Sequence, residues 1–517
     1  MHVCPRIDSV SEFSLEAQST QYNPTTGEFL ADPTGHIRLY LVNGPSGWSA
    51  LTQKHELPAE AFEEFDRFGL ALQLATGTPN GYMTPYKNIV LVPSGMRARI
   101  DGDRVTFTKD ELRQYMVDNW RIYDDWEDDI LSWPGADETN TTMLLSGGMD
   151  SVSILLSQYF VGRPLPAMHI ARPGWEHELP LAQEVSDKYA VRLELAPFTP
   201  VTPDDAYAHL EFSPFGRMFN FAMYNRVFKN SLKTPYALHG ELSLIDMTFY
   251  DHSQRFRHLR RRFFHDPVIR KLFLGARPMA HFFPKKTGSS KLATLLRSLR
   301  TSRNKRLMLM GTVLGPKGFP GLTDSALVTD DESYLTELDR RFEPFVDGSD
   351  DYEHFMIDFW LFAYRFVEGY PNKTGPQEAS ASAGKETHHP MNRLKALLRG
   401  AAVAPKLARD KTILKKHFIE KCPELGRVIW FKKDLSLGGA EPYWVDSPEW
   451  QRLLDDALDA FPATDLVSKD AFAADLHGRP WSEHHMSYTS LIRRRQLALD
   501  SLRTPRPTKT PRSPVPA

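Results

Sequence analysis

The chain has 517 residues, 41% hydrophobic and 25% charged, and its 63 Lys and Arg against 65 Asp and Glu leave a net charge of -2. Such a length implies roughly two to four domains with at least one large core, and the composition excludes collagen-like, wholly disordered and multi-span membrane chains. No apolar run approaches the ~18 residues of a membrane span, and MHVCPRIDSVSEF lacks the basic and apolar segments of a secretory signal. Two cysteines, Cys4 and Cys422, cannot build a disulfide framework or a four-thiolate zinc site. A cytoplasmic protein is expected.

Residues 1–130 read as a small β-rich domain. Apolar and polar positions alternate in His36-Ile37-Arg38-Leu39-Tyr40-Leu41 and Asn88-Ile89-Val90-Leu91-Val92, with turn signals at Asn23-Pro24, Asp32-Pro33-Thr34-Gly35 and Asp101-Gly102-Asp103. Short antiparallel strands are predicted. From Lys109 to Leu131 the helical spacing of Leu112, Tyr115, Met116, Trp120 and Ile122 predicts a helix, ended by Ser132-Trp133-Pro134-Gly135 at the domain boundary.

Residues 131–500 then alternate. A strand at Thr142-Met143-Leu144-Leu145, a helix from Asp150 to Phe160, a strand at Ala167-Met168-His169-Ile170-Ala171 and a helix from Leu179 to Tyr189 predict an α/β domain. Its parallel sheet should carry helices on both faces. From Phe212 the chain reads mostly helical, with Gly369 to Lys385 expected as a mobile loop and residues 503–517, basic and Pro-rich, as a disordered tail. Between Arg255 and Arg306 stand 16 Lys or Arg and one acid, Asp266. That block would suit an acidic or extended substrate such as a peptide. Its few aromatics argue against a nucleic-acid partner.

The segment that carries chemistry is Ser146-Gly147-Gly148-Met149-Asp150-Ser151, where an apolar strand passes into a helix. A glycine-rich turn there offers open backbone N–H groups and the positive helix end to a phosphate. Ser146 and Ser151 add hydroxyls, and Asp150 can hold magnesium against the phosphates. It is neither the lysine-bearing nucleotide loop nor the dinucleotide fingerprint. The plain alternative is a turn that only joins strand to helix. His388-His389 and His484-His485 are adjacent pairs, not the i, i+4 spacing of a helical metal site, so no metal beyond nucleotide-bound magnesium is expected.

SGGMDS resembles the pyrophosphate-binding loop of the ATP pyrophosphatases, and further segments narrow the resemblance to the branch of asparagine synthetases, β-lactam synthetases and lasso-peptide cyclases. His169-Ile170-Ala171 resembles the strand lining the adenine pocket, implying an adenine-site role for His169 and Ile170. Gly240-Glu241 resembles the start of the family's G-E-G-x-D-E, Glu386-Thr387-His388-His389-Pro390 its E-x-R-x-P segment, and Arg409 to Lys415 its E-K-x-I-L-R stretch. PELGRVIWFKKD, residues 423–434, is similar to P-x-S-V-x-W-R-Q-K-E. The implied fold is adenine nucleotide α-hydrolase-like. The implied reaction is ATP-dependent: a carboxylate attacks the α-phosphate, pyrophosphate leaves, and an amine displaces AMP to form an amide.

By the same resemblance the Ser146, Gly147, Gly148, Asp150, Ser151 loop, Mg2+ and Lys433 stabilise the leaving pyrophosphate, with Lys432 the alternative lysine. Glu241 and Glu386 are the candidate bases for the amine. Asp246 is a candidate second magnesium ligand.

The chain also departs from the family. His2 stands where glutamine-dependent members carry their N-terminal cysteine, and only 31 residues precede Asp32, whose segment resembles the family's D-x-x-G-x-x-P-L-Y strand. The N-terminal domain therefore reads as a truncated amidotransferase-like remnant without glutaminase activity. An amine already in the substrate is implied, as in peptide macrolactam formation, with a small-molecule or peptide substrate and a peptide-processing partner protein. Free ammonia as the amine, or an inactive ATP-binding pseudoenzyme, are the alternatives. The glycines of G-E-G-x-D-E are missing after Glu241, which implies a reshaped substrate pocket.

Overall fold

The structure is a computed structural model that describes residues 1–76, 83–171, 176–198, 218–240, 331–345, 352–362, 377–403, 411–429 and 448–460, with isolated positions besides. The basic block except Asp266, Val268 and Lys271, together with residues 503–517, lies outside them.

Two small sheets make up the N-terminal part. One is β1 (His2–Val3), β6 (Gly47–Leu51), β5 (Leu39–Gly44) and β7 (Ile89–Val92); the other is β2 (Asp8–Ser9), β3 (Gln21–Asn23), β4 (Glu28–Leu30), β8 (Met96–Asp101) and β9 (Arg104–Asp110). Leu39, Tyr40, Leu41 and Val42 of β5 are all buried, as expected of a central strand covered on both faces. The Asp101-Gly102-Asp103 turn joins β8 to β9, with Gly102 at φ +61°. Pairing is mostly antiparallel as expected, but β1–β6 and β2–β3 run parallel. The helix expected from Lys109 to Leu131 is shorter, because Lys109 and Asp110 still end β9. Helix α1 covers Arg67–Thr76 and α2 Glu111–Asn119. The Asp110 carboxylate accepts the Arg113 N–H at 3.0 Å as the N-cap of α2, and extended backbone at Trp120 stops it.

The second half is built on a parallel sheet in the order β12 (Leu193–Ala196), β11 (Ala167–Ile170), β10 (Thr141–Leu144), β13 (Tyr236–His239), β14 (Glu386–His388). Numbered along the chain this is 3-2-1-4-5, so the order reverses between β10 and β13, where doubly wound sheets bind their ligands. Strand alternation sorts the side chains. Met143, Ala167 and Leu238 join a core with Val152, Leu155 and Leu156 of α3 (Met149–Phe160) and Leu181, Ala182 and Val185 of α4 (Leu179–Lys188). Leu144, Met168 and Ala237 face the other way, onto Val227 and Phe228 of α5 (Met218–Asn230) and onto Ala379. Helices thus cover both faces. Residues 377–382, expected as loop, are helical, because their small residues let Ala379 and Ser380 bury fully.

The first core also includes Phe29, Tyr40 and Leu112, so it runs without a break from the N-terminal sheets into the parallel sheet. Helix α7 (Tyr352–Phe362), which follows α6 (Asp331–Phe342), packs on α2, and the Arg113 guanidinium donates to Asp358 at 2.6 Å. Just beyond α7, Arg365 donates to both Asp110 oxygens at 2.6 and 2.8 Å and to the Ser94 carbonyl. Among the described residues no helix is long and apolar enough to cross a membrane.

Candidate functional site

The buried run Thr141–Leu144 makes β10 the central strand, and the loop Ser146 to Gly148 leaves its carboxyl end at the switch point. Gly147 has φ +80°, a conformation that glycine adopts freely, and a Cβ there would lie 2.5 Å from the Glu178 carbonyl oxygen. The loop is self-braced. The Ser146 N–H donates to Ser151 Oγ at 3.1 Å, the Ser151 hydroxyl donates to the Gly148 carbonyl at 3.1 Å, and the Gly148 N–H approaches Ser146 Oγ at 3.3 Å. Gly148 is the N-cap of α3 and supplies no side-chain cap, so the first N–H groups of the helix point past it without a side-chain acceptor. A cradle of this kind fits an anionic oxygen.

Asp150 stands in the first turn of α3, half-buried, and its carboxylate is ion-paired with Lys411. Lys411 has φ +56° and is the N-cap of α8 (Thr412–Lys421), which places its ammonium against Asp150. Across the switch point, Gly240 follows β13. A Cβ on it would meet Ser151 Cα at 2.5 Å, so the absence of a side chain lets the end of β13 lie against the start of α3.

The structure brings Ser146, Ser151, His169 and Ile170 together around a narrow cleft of about 60 Å³, with Leu144, Leu145, Met168, Glu178, Tyr224, His239 and Gly240. His169 is buried, its Nδ1 2.9 Å from the Leu145 carbonyl oxygen, a contact that ties β11 to the root of the loop. Ile170 is half-buried against the second core. Glu386 is placed elsewhere. The register pairs Glu386 with Tyr236 and Tyr236 with Thr141, the first residue of β10, so Glu386 stands at the amino edge of the sheet. The loop lies at the carboxyl edge, so this carboxylate does not join it. Lys433, Glu241 and Asp246 lie outside the described residues.

Beside Glu386, the His388 ring is stacked on Trp133 (centroids 4.5 Å, 14°) and lies 4.4 Å from the His36 ring. Burial, with the Arg38 charge second, pushes His36 down to about 4, and burial, with His36 second, pushes His388 down to about 3. Both imidazoles are neutral near pH 7.

Lys411, Tyr224 and His239 are the site residues that sequence reasoning did not single out. The only signal for Lys411 was its place in the Arg409 to Lys415 stretch, 261 residues from Asp150. No protein-family model matches this chain, and no curated protein matches it.

Proposed function

We propose that the chain is an ATP-dependent amide-forming ligase of the asparagine synthetase-like kind, built on an adenine nucleotide α-hydrolase-like sheet. The observation that carries this reading is the uncapped, self-braced Ser146–Ser151 loop at the switch point of a 3-2-1-4-5 parallel sheet. In this reading the loop's N–H groups and the Ser146 and Ser151 hydroxyls take the β- and γ-phosphates of ATP. Asp150 would hold the magnesium ion, which when bound supplies charge neutralisation to the phosphates. Asp150 and Lys411 already form a cation–anion pair, and a magnesium pyrophosphate offers each of them an opposite charge.

The substrate carboxylate oxygen attacks the α-phosphorus, and the bond to the β-phosphate oxygen breaks with release of pyrophosphate. The amine then attacks the acyl carbon, loses its proton to a base, and AMP departs. Lys433 and Glu241 remain the proposed pyrophosphate cation and base. Glu386, at the far edge of the sheet, is not assigned that task. Cys4 is buried, its thiol 3.7 Å from Thr52 Oγ1 and 3.8 Å from a Glu56 oxygen, and this packing suits a structural thiol in an N-terminal part without glutaminase chemistry. In this reading the amine is one carried by a peptide or small-molecule substrate, with free ammonia the alternative nucleophile. Peptide macrolactam formation in the cytoplasm, with a peptide-processing partner, is the first substrate class to test.

ATP–pyrophosphate exchange over a panel of carboxylates and peptides tests the proposal. Exchange that needs one carboxylate and vanishes in Asp150→Ala is expected. ATP binding without exchange for any carboxylate would instead favour a nucleotide-binding pseudoenzyme.

A further inference from the structure

We propose that His36, Glu386 and His388 bind one divalent zinc ion, which clasps the N-terminal sheets to the edge strand of the parallel sheet. Glu386 and His388 are two apart on β14 and so share a face of the strand. His36 comes from the loop that leads into β5. One ligand atom from each of the three lies within 4.8 Å of the other two. Tetrahedral zinc with bonds near 2.0–2.2 Å wants its donors about 3.3 Å apart. Glu386 is exposed, so its side chain is free to turn toward the two rings as an ion enters.

The two imidazoles are already fixed in place. His388 is only 8% exposed, stacked on Trp133 with Tyr236 at 5.2 Å, and its Nδ1 is buried with no hydrogen-bond partner. A buried ring nitrogen left unpaired is costly, so a ligand at that corner relieves a defect in the apo chain. The loop carrying His36 is braced by Asp32, whose carboxylate accepts the Thr34 N–H at 2.8 Å and the Ile37 N–H at 2.9 Å. Gln377 Nε2 approaches His36 Nδ1 only at 3.5 Å, the outer limit of a hydrogen bond, and leaves that ring open to a stronger partner.

Two imidazoles and one carboxylate make a neutral-N, O set suited to zinc and poor for magnesium, which prefers oxygen ligands. Three protein ligands leave a fourth position. His36 and Glu386 also line a pocket of about 370 Å³ with Arg6, Arg38 and Lys385 on its wall, so a water or a small anion completes the set there. Among these cations Arg38 is ion-paired with Glu378 at 3.7 Å, which offsets part of its repulsion of an incoming metal.

The test is a titration of chelator-stripped full-length protein with Co2+, read by its visible d–d absorption, followed by displacement with Zn2+. The wild type should take up one Co2+ with the intense bands of a four-coordinate site, and Zn2+ should abolish them. Glu386→Gln, a nearly isosteric change at an exposed position, should weaken binding by about 100-fold or more, and His36→Asn should do the same, each with an unchanged far-ultraviolet spectrum. Bands that survive both substitutions place the ion elsewhere and overturn the assignment. So does a wild type that shows no bands at millimolar Co2+. ATP turnover plays no part in this readout, so its outcome is independent of the ligase reading.

Discussion

Replacing Gly240 by alanine puts a Cβ 2.5 Å from Ser151 Cα, 2.7 Å from Ser151 N and 2.9 Å from Ser151 Cβ. Those atoms are the backbone of the first turn of α3 and the Cβ fixed to it, none of which can swing aside, so β13 and α3 must part by about 1 Å to restore van der Waals contact. Overpacking of this size costs about 1–3 kcal/mol. Gly162 provides the control: at φ +75° with nothing within 4 Å of an added Cβ, its alanine variant pays only backbone strain, about 1–2 kcal/mol. The two variants should therefore lose similar stability in urea unfolding. They should differ in nucleotide binding, measured calorimetrically with ATP and magnesium. Gly162→Ala should bind as the wild type does, and Gly240→Ala, with its phosphate cradle displaced, should bind at least about 10-fold more weakly. Wild-type affinity in Gly240→Ala would refute the argument that the contact between β13 and α3 shapes the cradle.

Lys411→Gly removes the ammonium from Asp150 and also relieves the left-handed backbone at φ +56°. Stability should change by less than about 1 kcal/mol, while pyrophosphate exchange falls by about 100-fold; an unchanged exchange rate removes Lys411 from the site. Arg365→Ala strips the Asp110 carboxylate and the Ser94 carbonyl of their guanidinium partner, and should cost about 3–5 kcal/mol in chemical denaturation. For Asp32, burial raises the carboxyl to about 6 against hydrogen bonds from Ile37 and Thr34 that lower it. The native state therefore binds more protons than the unfolded one between the unfolded value near 3.8 and about 6, and the stabilising effect is lost as pH rises through 6. Asp32→Asn, which cannot ionise, should gain about 3 kcal/mol relative to the wild type between pH 4 and pH 7; a pH-independent difference would show that Asp32 ionises in the fold as it does in water.

The parallel sheet and its loop were legible because their signals are local. The apolar run from Thr142 to Leu145, the glycine pair and the periodic helix after Asp150 sit side by side in sequence, and backbone geometry follows directly from them. The N-terminal region was less legible. Apolar spacing continues from Tyr115 past Trp120 to Ile122, yet the helix ends at Asn119, where Trp120 turns to extended backbone and Ile122 is left 64% exposed. The parallel pairing of β1 with β6 joins residues about fifty positions apart, which alternation cannot reveal. The helix at 377–382 was hidden because its Ser and Ala composition reads as loop until burial of Ala379 and Ser380 decides it. Spacing along the chain at His388-His389 says nothing of residues far away in sequence, yet strand pairing and a distant loop bring one ligand atom each of His36, Glu386 and His388 within 4.8 Å of one another. The ion pair of Lys411 with Asp150 is likewise a product of the fold alone.

In the proposed reaction ATP is cleaved between its α- and β-phosphates at the Ser146 to Ser151 loop. The most direct measurement is the phosphorus NMR or chromatographic product ratio when the full chain is given ATP, Mg2+ and a mixed pool of peptides and small carboxylates. AMP and pyrophosphate in equal amounts, absent in Asp150→Ala, are the predicted result. ADP and orthophosphate as the products, or AMP formation that Asp150→Ala leaves unchanged, would contradict it.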